Sequence, residues 1–225
     1  MSRPKALVSW SSGKDAAWAL HEIRRAGALD VVGLLTTVTS EYARVSMHAV
    51  REALLDLQAA SVGLPCHKVR IPSPCPNEAY EAAMAAALAE ARAAGVTRVV
   101  FGDLFLEDVR AYREKQLAGT GAEPVFPLWG RDTARLAREM LDAGLGATIT
   151  CVDPRQLDAG FAGRPFDGAL LDALPPGVDP CGERGEFHTF ARSGPMFAAP
   201  IAVTSGEVVT RGGFVFADLL PGAGA

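Results

Sequence analysis

The sequence predicts an α/β protein in which a parallel sheet is flanked by helices and followed by a smaller C-terminal α+β lobe. Two observations predict this class. Short apolar runs of strand type alternate with segments of helical period from Lys5 to about Val152, which is the pattern of βαβ units. Beyond Asp153 the alternation stops, and a segment rich in Gly, Pro and Asp leads into a pattern typical of a hairpin.

The individual elements follow from hydrophobic period and turn residues. KALVSW is a short apolar strand, and the apolar residues after the next turn recur at helical spacing as far as Gly27. VVGLLTTV is a second buried strand, and a helix is predicted from about Met47 to Ala60. Four further strands are predicted at CHKVRI, TRVVFGDL, EPVFPLW and GATITCV, separated by helices at PNEAYEAAMAAALAEARAAG, VRAYREKQLAG and TARLAREMLDAG. The C-terminal IAVTSGEVVTRGGFVFADL alternates like a hairpin.

The composition bounds the class of protein. With 225 residues, 49% of them hydrophobic, the chain can bury a substantial core. Its formal net charge of −4 disfavours a long nucleic-acid track but allows a pocket for one nucleotide. No apolar run reaches the length of a membrane span, and MSRPKALVSW lacks the apolar core of a signal peptide. We therefore expect a cytoplasmic protein without nucleic-acid or membrane partners. The four cysteines form no CxxC pair, which argues against a zinc knuckle or a redox dithiol.

The turn SSGKD joins the first strand to the first helix and modestly favours anion binding. It is not a Walker A loop, because Val8 stands at the position of the first glycine and Asp15 at that of the hydroxyl residue. Small residues let backbone N–H groups approach an anion, the helix dipole adds partial positive charge, and Lys14 offers a mobile cation. The alternative is a turn in which Ser11, Ser12 or Asp15 only caps the helix.

The segment SSGKDA resembles the SGGxDS pyrophosphate loop (PP-loop) of the ATP pyrophosphatases, the superfamily of adenine-nucleotide alpha hydrolases. Read with FGDL, EPVFPLW and CGERGEFHTF in that order, it is similar to the diphthine-ammonia ligase family, and the resemblance spans nearly the entire chain. It implies a Rossmann-like fold of the HUP type. We therefore expect an ATP-binding PP-loop domain over residues 1–130 and a smaller acceptor-binding lobe over residues 131–225.

The resemblance implies an ATP-dependent ligase that forms an amide. A carboxylate attacks the α-phosphorus of ATP and releases pyrophosphate, and ammonia then displaces AMP from the acyl-adenylate. The implied cofactors are ATP and Mg²⁺, and the implied partners are ammonia and an unidentified carboxylate acceptor. Free ammonia is the expected nitrogen source, because the two lobes leave no room for a glutaminase domain and no cysteine has a recognisable nucleophile context. The Ala-rich helix or the terminal hairpin could supply a homodimer face.

The resemblance carries roles to residues of the loop and of the other motifs, while Thr36 or Thr37 and His48 are predicted from their position after the second strand. The predicted catalytic residues are Lys14, Asp15, Glu183, Glu186 and His188. The predicted ATP-binding residues are Ser11, Ser12, Gly13, Thr36, His48, Gly102 and Asp103, and the predicted magnesium ligands are Asp15 and Asp103.

Particular functions are expected of the acidic residues and of the loop residues. Glu183 or Glu186 would hold ammonium or take its proton, and His188 would orient the acceptor. Gly102 would allow a close approach to the nucleotide, since it follows a strand end. Ser12 stands where the family loop has a glycine, which is tolerable if its φ stays negative, and Ala16 replaces the last serine of the loop.

Other functions remain open on the sequence alone. The excess of Arg over Lys suits a GC-rich bacterial genome, whereas diphthine is a modified histidine of an elongation factor in archaea and eukaryotes, so the acceptor stays open. A tRNA-thiolation or lysidine-type enzyme would need a CxxC pair or a basic surface. A universal-stress-type sensor would hold ATP without turnover; Ala16 favours it slightly, and the Glu/His cluster counts against it.

Overall fold

The N-terminal half of the chain forms a mixed, mainly parallel sheet. The structure is a computed structural model that describes residues 2–45 and 49–223. Within those ranges, the strands of this sheet are β1 (Lys5–Ser9), β2 (Asp30–Thr39), β3 (Arg44–Val45), β4 (Cys66–Ile71), β5 (Val96–Val100) and β6 (Glu123–Val125). The order runs β2, β1, β5, β6, and both β3 and β4 pair with β2. All pairs are parallel except β2 with the short β3.

Helices connect these strands as the alternation predicts. They are α1 (Lys14–Ala26), α2 (Glu52–Val62), α3 (Asn77–Ala93), α4 (Glu107–Leu117) and α5 (Thr133–Asp142), with a short α6 (Gly168–Ala173) later in the chain. The predicted start of the second helix near residue 47 is wrong. Arg51 is extended, with φ −61° and ψ 139°, and forms an antiparallel bridge with Arg44, so the helix cannot begin before Glu52.

A second, antiparallel sheet follows. In the described part of the chain, its strands are β7 (Gly146–Val152), β8 (Pro165–Phe166), β9 (Phe187–Ser193), β10 (Val203–Arg211) and β11 (Phe214–Pro221). The hairpin prediction is confirmed by β10 and β11. The strand GATITCV does not extend the first pattern, since β7 is the central strand of the second sheet and pairs with β8, β9 and β11. The predicted fold class, a parallel sheet with helices and a smaller second lobe, is confirmed.

One hydrophobic core runs through both sheets and fixes their contact. Val8 of β1, Leu20 of α1, Leu136 of α5, Ile149 of β7 and Phe190 of β9 belong to one fully buried cluster. Burying such side chains contributes roughly 1.5–3 kcal/mol each. The end of β1 is therefore held against the second sheet by apolar packing.

The opposite face of the parallel sheet has a separate core. Leu7 of β1 points to this side, where it packs with Leu35, Val99 and Leu88 of α3. The alternation of Leu7 and Val8 between the two cores is the period-2 pattern of a strand covered on both faces. Among the described residues, no helix is both long and apolar enough to cross a membrane.

Candidate active site

The candidate site lies where the strand order of the parallel sheet reverses. From β1 the chain moves outward to β2 and β4 on one side, while β5 and β6 lie on the other. Open parallel sheets bind ligands at the carboxyl ends of the strands at such a point. The SSGKD turn follows β1 there, and the FGDL segment follows β5. Two motifs that are far apart in sequence therefore meet at one edge of the sheet.

Gly102 makes the contact between these two segments possible. A Cβ atom at this position would lie 2.8 Å from the carbonyl carbon of Asp15 and 2.9 Å from the amide nitrogen of Ala16. Backbone atoms cannot move aside as a flexible side chain can, so only glycine fits. The close approach seen in this structure is between Gly102 and the first turn of α1, and the predicted approach of Gly102 to a nucleotide stays a prediction.

The loop before α1 adopts a conformation that the sequence did not predict. Ser12 has φ +70°, so the condition that its φ stays negative is not met. Its hydroxyl oxygen is buried and has no hydrogen-bond partner. This geometry explains why the family loop has glycine at this position, because glycine alone adopts a left-handed φ without steric cost.

Replacing Ser12 with glycine should stabilise the protein. Ser12→Gly removes both the left-handed strain and the buried unpaired hydroxyl, and the greater entropy of unfolded glycine offsets part of the gain, so we expect about 1 kcal/mol. Urea unfolding measures this change in the free energy of unfolding. The matched control is Ser11→Gly, which should destabilise, since Ser11 is not among the residues with positive φ and its hydroxyl accepts from Gly13 N at 3.3 Å. A less stable Ser12→Gly variant would contradict the strain argument.

Hydrogen bonds from α2 and from β9 of the second lobe hold the loop in place. Gln58 is fully buried and donates through Nε2 to the carbonyl oxygens of Ser12, at 2.9 Å, and Ala191, at 2.6 Å. Its Oε1 accepts from Trp10 Nε1 at 2.9 Å. Ala191 N also donates to Ser12 O at 2.9 Å. These bonds fix the loop to β9 and α2, and no sequence motif indicated them.

The start of α1 is capped from the other lobe. Its N-cap residue is Gly13, whose position makes no side-chain capping bond, and Lys14 N instead donates to the Thr189 hydroxyl of β9 at 3.1 Å. Helix N-termini need partners for their free N–H groups. Capping of α1 by Ser11 or Ser12 is therefore not observed, because the partner of Lys14 N comes from residue 189, whereas capping by Asp15, the third alternative, stays a prediction.

Lys14 is buried instead of mobile. Its side chain is 1% exposed, and Nζ donates to both carboxylate oxygens of Asp15, at 2.9 and 2.8 Å, and to the carbonyl oxygen of Cys181. Nζ also lies 5.4 and 5.6 Å from the ring centroids of Phe166 and Phe187. Burial works to lower the pKa of Lys14, but the Asp15 carboxylate, together with Cys181 and Asp179, outweighs it and the pKa is raised. The expectation of a mobile cation is wrong in this structure, since Lys14 fixes Asp15.

Asp103 faces the same cleft from the other segment. Burial raises its pKa, although Arg113 opposes this with Nε 3.7 Å from Oδ2. Asp103 Oδ2 and Arg113 Nε are both buried without a hydrogen-bond partner among the described residues. Buried polar atoms normally form hydrogen bonds, and the 3.7 Å ion pair between Asp103 and Arg113 is too long to be one, so a polar ligand between these segments would supply the missing hydrogen bonds.

Glu183 connects the C-terminal motif to the FGDL segment. One carboxylate oxygen accepts from Leu104 N at 2.7 Å and from Phe105 N at 3.3 Å. Burial raises its pKa to about 7, and the nearby Asp15 and Asp103 add to this effect, while the two backbone bonds oppose it. Asp179, which was not predicted, holds Glu183 in place by accepting from its backbone N at 2.9 Å. Three carboxylates thus share one cleft, and near neutral pH part of the Glu183 population is protonated.

Glu183 should make the stability fall as pH rises. Its folded pKa of about 7 lies above the ordinary value of 4.5, so the folded state holds a proton that the unfolded state has lost. Ionisation between these values weakens folding, by about 2 kcal/mol after allowance for partial solvent exposure. Glu183→Gln keeps an acceptor oxygen and should remove this loss. Urea unfolding in EDTA at pH 5 and pH 8 tests it, and an identical pH dependence in both proteins would contradict it.

Glu186 and His188 take different positions in the C-terminal motif. Glu186 is 2% exposed, does not line the cleft, and accepts from Asp179 N at 2.9 Å. Its other carboxylate oxygen is buried without a partner among the described residues. His188 lines the cleft, and burial, followed by the charge of Lys14, lowers its pKa to about 4. The imidazole is therefore neutral near pH 7.

Two adjoining cavities form the site. The carboxylate cleft, of about 280 Å³, is lined by the facing groups of Lys14, Asp15, Asp103, Glu183 and His188. The apolar cavity, of about 530 Å³, shares Ser9, Ser11, Phe101 and Arg113 with it. The walls of the apolar cavity include Leu35, Ile71, Met84, Leu88 and Val99. Together they offer an elongated site with one apolar and one polar end.

Two predicted ATP-binding residues need separate comment. Thr36 lines the apolar cavity, but its hydroxyl donates to Trp10 O at 2.6 Å, so it offers a ligand only an acceptor lone pair. His48 lies outside the described residues. Its predicted role stays a prediction.

Comparison of the chain with models of known protein families identifies its family. The model described as the diphthamide synthase N-terminal domain matches residues 4–122, and the one described as the diphthamide synthase C-terminal domain matches residues 132–217. The first match alone spans more than half of the chain. The chain belongs to the diphthamide synthase family. The resemblance deduced from the four motifs is thereby confirmed.

Curated relatives agree with this assignment. The chain is 36% identical over 102 residues to the diphthine–ammonia ligase of Bos taurus and 34% identical over 106 residues to that of Homo sapiens; each match covers 43% of this chain and 38% of the relative. It is 30% identical over 136 residues to the diphthine–ammonia ligase of Danio rerio, covering 55% of this chain and 51% of the relative. The matches therefore span about two fifths to one half of these relatives.

The carboxylates of the cleft fit a magnesium ion that is also coordinated by a bound ligand and by water. No group of three or more His, Cys, Asp or Glu side chains within residues 2–45 and 49–223 is arranged to hold a metal by itself. Mg²⁺ commonly takes only one or two protein carboxylates and completes its shell with phosphate oxygens and water. Asp15 and Asp103, whose Oδ2 accepts no hydrogen bond from a described residue, provide that number.

Proposed function

We propose that this chain is an ATP-dependent ligase that adenylates a carboxylate and converts it to an amide with ammonia. One observation carries the proposal: the PP-loop and the FGDL segment meet at the strand-order reversal and present Asp15 and Asp103 to one cleft. The family membership and the names of the relatives support the same reaction.

The two cavities suggest how ATP lies in the site. We place adenosine in the apolar cavity, whose volume of about 530 Å³ is ordinary for a small-molecule site. The triphosphate then extends along Ser11, which lines both cavities, to the N-terminus of α1. Backbone N–H groups and the helix dipole stabilise negative charge there. Arg113, whose Nε forms no hydrogen bond with a described residue, lies at the junction and can donate to a phosphate oxygen.

The reaction proceeds by two displacements. A carboxylate oxygen attacks the α-phosphorus, the bond to the bridging oxygen breaks, and pyrophosphate leaves with the electron pair. The nitrogen of ammonia then bonds to the acyl carbon, and AMP leaves with the electrons of the broken carbon–oxygen bond. Mg²⁺, held by Asp15 and Asp103, would neutralise phosphate charge. Lys14 keeps the Asp15 carboxylate oriented toward the cleft.

We propose that Glu183 takes the proton that ammonia loses when it forms the amide. Glu183 lines the cleft, and its pKa of about 7 suits a group that takes the proton lost by nitrogen. Glu186 lies outside the lining, so we assign it a positioning role in place of the predicted contact with ammonia. His188 is proposed to orient the acceptor as a neutral hydrogen-bonding group. The relatives' name suggests diphthine as the acceptor. The predicted homodimer and cytoplasmic location stay predictions.

The sensor alternative is not favoured. A sensor would need the loop and the apolar cavity but no second acidic cluster. Here Glu183 is tied by two backbone bonds to the segment that follows β5, which places an acid of the second lobe inside the cleft. Such a cluster adds charge repulsion that ATP binding alone does not require.

Separation of the nucleotides formed from ATP tests the proposal. Pure protein is incubated with ATP, Mg²⁺, ammonium and either diphthine-bearing elongation factor or a pool of small carboxylates. We expect AMP and pyrophosphate that depend on the acceptor. ADP and phosphate would overturn the adenylation chemistry, and unchanged but tightly bound ATP with both acceptor sources would support the sensor.

A further inference from the structure

A third cavity adjoins the carboxylate cleft. It has a volume of about 300 Å³, and His188 lines both cavities. Three aromatic rings, those of Tyr42, Phe214 and Phe216, form much of its wall. Arg44 and Arg211 also line it, and we call it the arginine pocket. It lies between the lobes, because residues 42 and 44 belong to the segment around β3 and residues 211–216 to the hairpin of β10 and β11.

The two arginines differ in what they contact. Arg44 already has hydrogen-bond partners within the protein, since Nη1 donates to Asp218 at 2.8 Å and to Ala49 O at 2.6 Å. The Arg211 guanidinium lies 5.6 Å from the ring centroid of Tyr42, and among the described residues it forms no ion pair with a carboxylate. An aromatic-lined pocket bordered by an exposed Arg211 guanidinium that has no carboxylate partner within the described residues favours an anionic group, and guanidinium matches carboxylate geometry well.

The size and opening of the pocket limit what can enter. A volume of about 300 Å³ corresponds to roughly ten water molecules, which is the size of an amino-acid side chain or a small acid. Tyr42 is 56% exposed, so the pocket is open to solvent. The rings of Phe214 and Phe216, with centroids 6.4 Å apart, suit the flat or aliphatic body of such a group.

We propose that the arginine pocket binds the acceptor: a carboxylate on a short stem with a ring or aliphatic body, held by Arg211 and by the Tyr42, Phe214 and Phe216 rings. This inference rests on the proposed ligase function. His188, which borders both cavities, then stands where the acceptor meets the nucleotide. The group can be a free acid or a side chain presented by another protein, since both have the same chemistry.

The test measures binding without turnover. Saturation-transfer NMR follows 3-phenylpropionate and 3-(imidazol-4-yl)propionate on protein saturated with Mg²⁺ and the non-hydrolysable analogue AMPCPP. A second arm titrates purified elongation factor that carries diphthine. The pocket variants are Arg211→Gln and Phe214→Leu, and the control is Arg138→Gln, an exposed arginine of α5 whose partner Asp172 lies 3.5 Å away. Thermal unfolding confirms that each variant is folded.

We expect Arg211→Gln to weaken acceptor binding about tenfold, as loss of a charge-assisted bond does, with AMPCPP affinity unchanged within about twofold. The uncharged 3-phenylpropanamide should bind about tenfold more weakly than its acid. Binding of the free acids indicates a small-molecule acceptor, and binding of the factor alone indicates a protein-borne one. Wild-type affinity in both pocket variants, or no binding in either arm, overturns the proposal. A protein that binds acceptor through Arg211 but forms no AMP would refute the ligase function instead.

Discussion

Asp15→Asn should lower AMP formation from ATP by about 100-fold or more, as removal of a preorganised charge at a reacting phosphate does. The Asp15 carboxylate lies in the cleft with Asp103, and Lys14 Nζ fixes both of its oxygens. The asparagine amide cannot supply the negative charge that a magnesium ion needs. Chromatography of the nucleotides over time gives the rate.

The same substitution should also destabilise the protein. Lys14 is 1% exposed, and after the substitution its ammonium would keep the Cys181 carbonyl oxygen, the neighbouring rings and a neutral amide oxygen, but no negative partner in contact with it. Removing one partner of a buried pair costs about 3–5 kcal/mol, and less here because the Asp15 side chain is 28% exposed. Thermal unfolding must therefore accompany the rate measurement.

Two controls separate chemistry from folding. Asp108→Asn changes an exposed acid in the first turn of α4 and should leave both rate and stability unchanged. Replacing Lys14 with methionine in the Asp15→Asn background removes the unpaired buried charge and should recover stability without recovering turnover. A wild-type rate in a folded Asp15→Asn variant would remove Asp15 from the mechanism.

The parallel sheet and the loop location were predictable because their signals are local. The period of apolar residues and the glycines at helix ends depend on neighbours a few positions away. Leu7 and Val8 illustrate this, since adjacent apolar residues in a short run indicate a strand buried on both faces, as observed. The same local character explains why the hairpin of β10 and β11 was found.

The environment of the loop was not predictable, because distant residues determine it. The left-handed φ of Ser12 is held by bonds from residues 58 and 191, and Lys14 is buried by residues of the second lobe. The motif resemblance located Glu183 and Glu186 but could not show that only Glu183 lines the cleft.

The sequence of α2 contains one signal for the role of Gln58. The buried residues of α2 are Leu54, Leu55, Gln58, Ala59 and Val62, which all lie on one helical face. A polar residue in the middle of an apolar face must have buried partners, since burial without them is costly. This pattern predicts a structural hydrogen-bond hub even when its partners are unknown.

Gln58→Leu should therefore lower both stability and turnover. Leucine has nearly the same volume, but Trp10 Nε1 and Ala191 O would lose their partner, and the loop carbonyl of Ser12 would keep only Ala191 N. Buried groups left unpaired cost about 1–3 kcal/mol each, so we expect a loss of about 3 kcal/mol. A displaced PP-loop should also reduce AMP formation by about tenfold or more, because small misplacements at a reacting centre have large effects.

Urea unfolding and nucleotide chromatography measure the two effects in the same preparation. The matched control is Gln156→Leu, an exposed glutamine whose amide donates to Asp153 at 3.0 Å and whose loss should cost about 0.5 kcal/mol. If Gln58→Leu is as stable as this control, the hydrogen bonds of the Gln58 amide make no net contribution to the free energy of unfolding. If the variant is destabilised but retains the wild-type rate, Gln58 supports the fold without positioning the loop. The combined loss is expected because the same amide that links α2 to β9 also bonds directly to the carbonyl of Ser12 in the pyrophosphate loop.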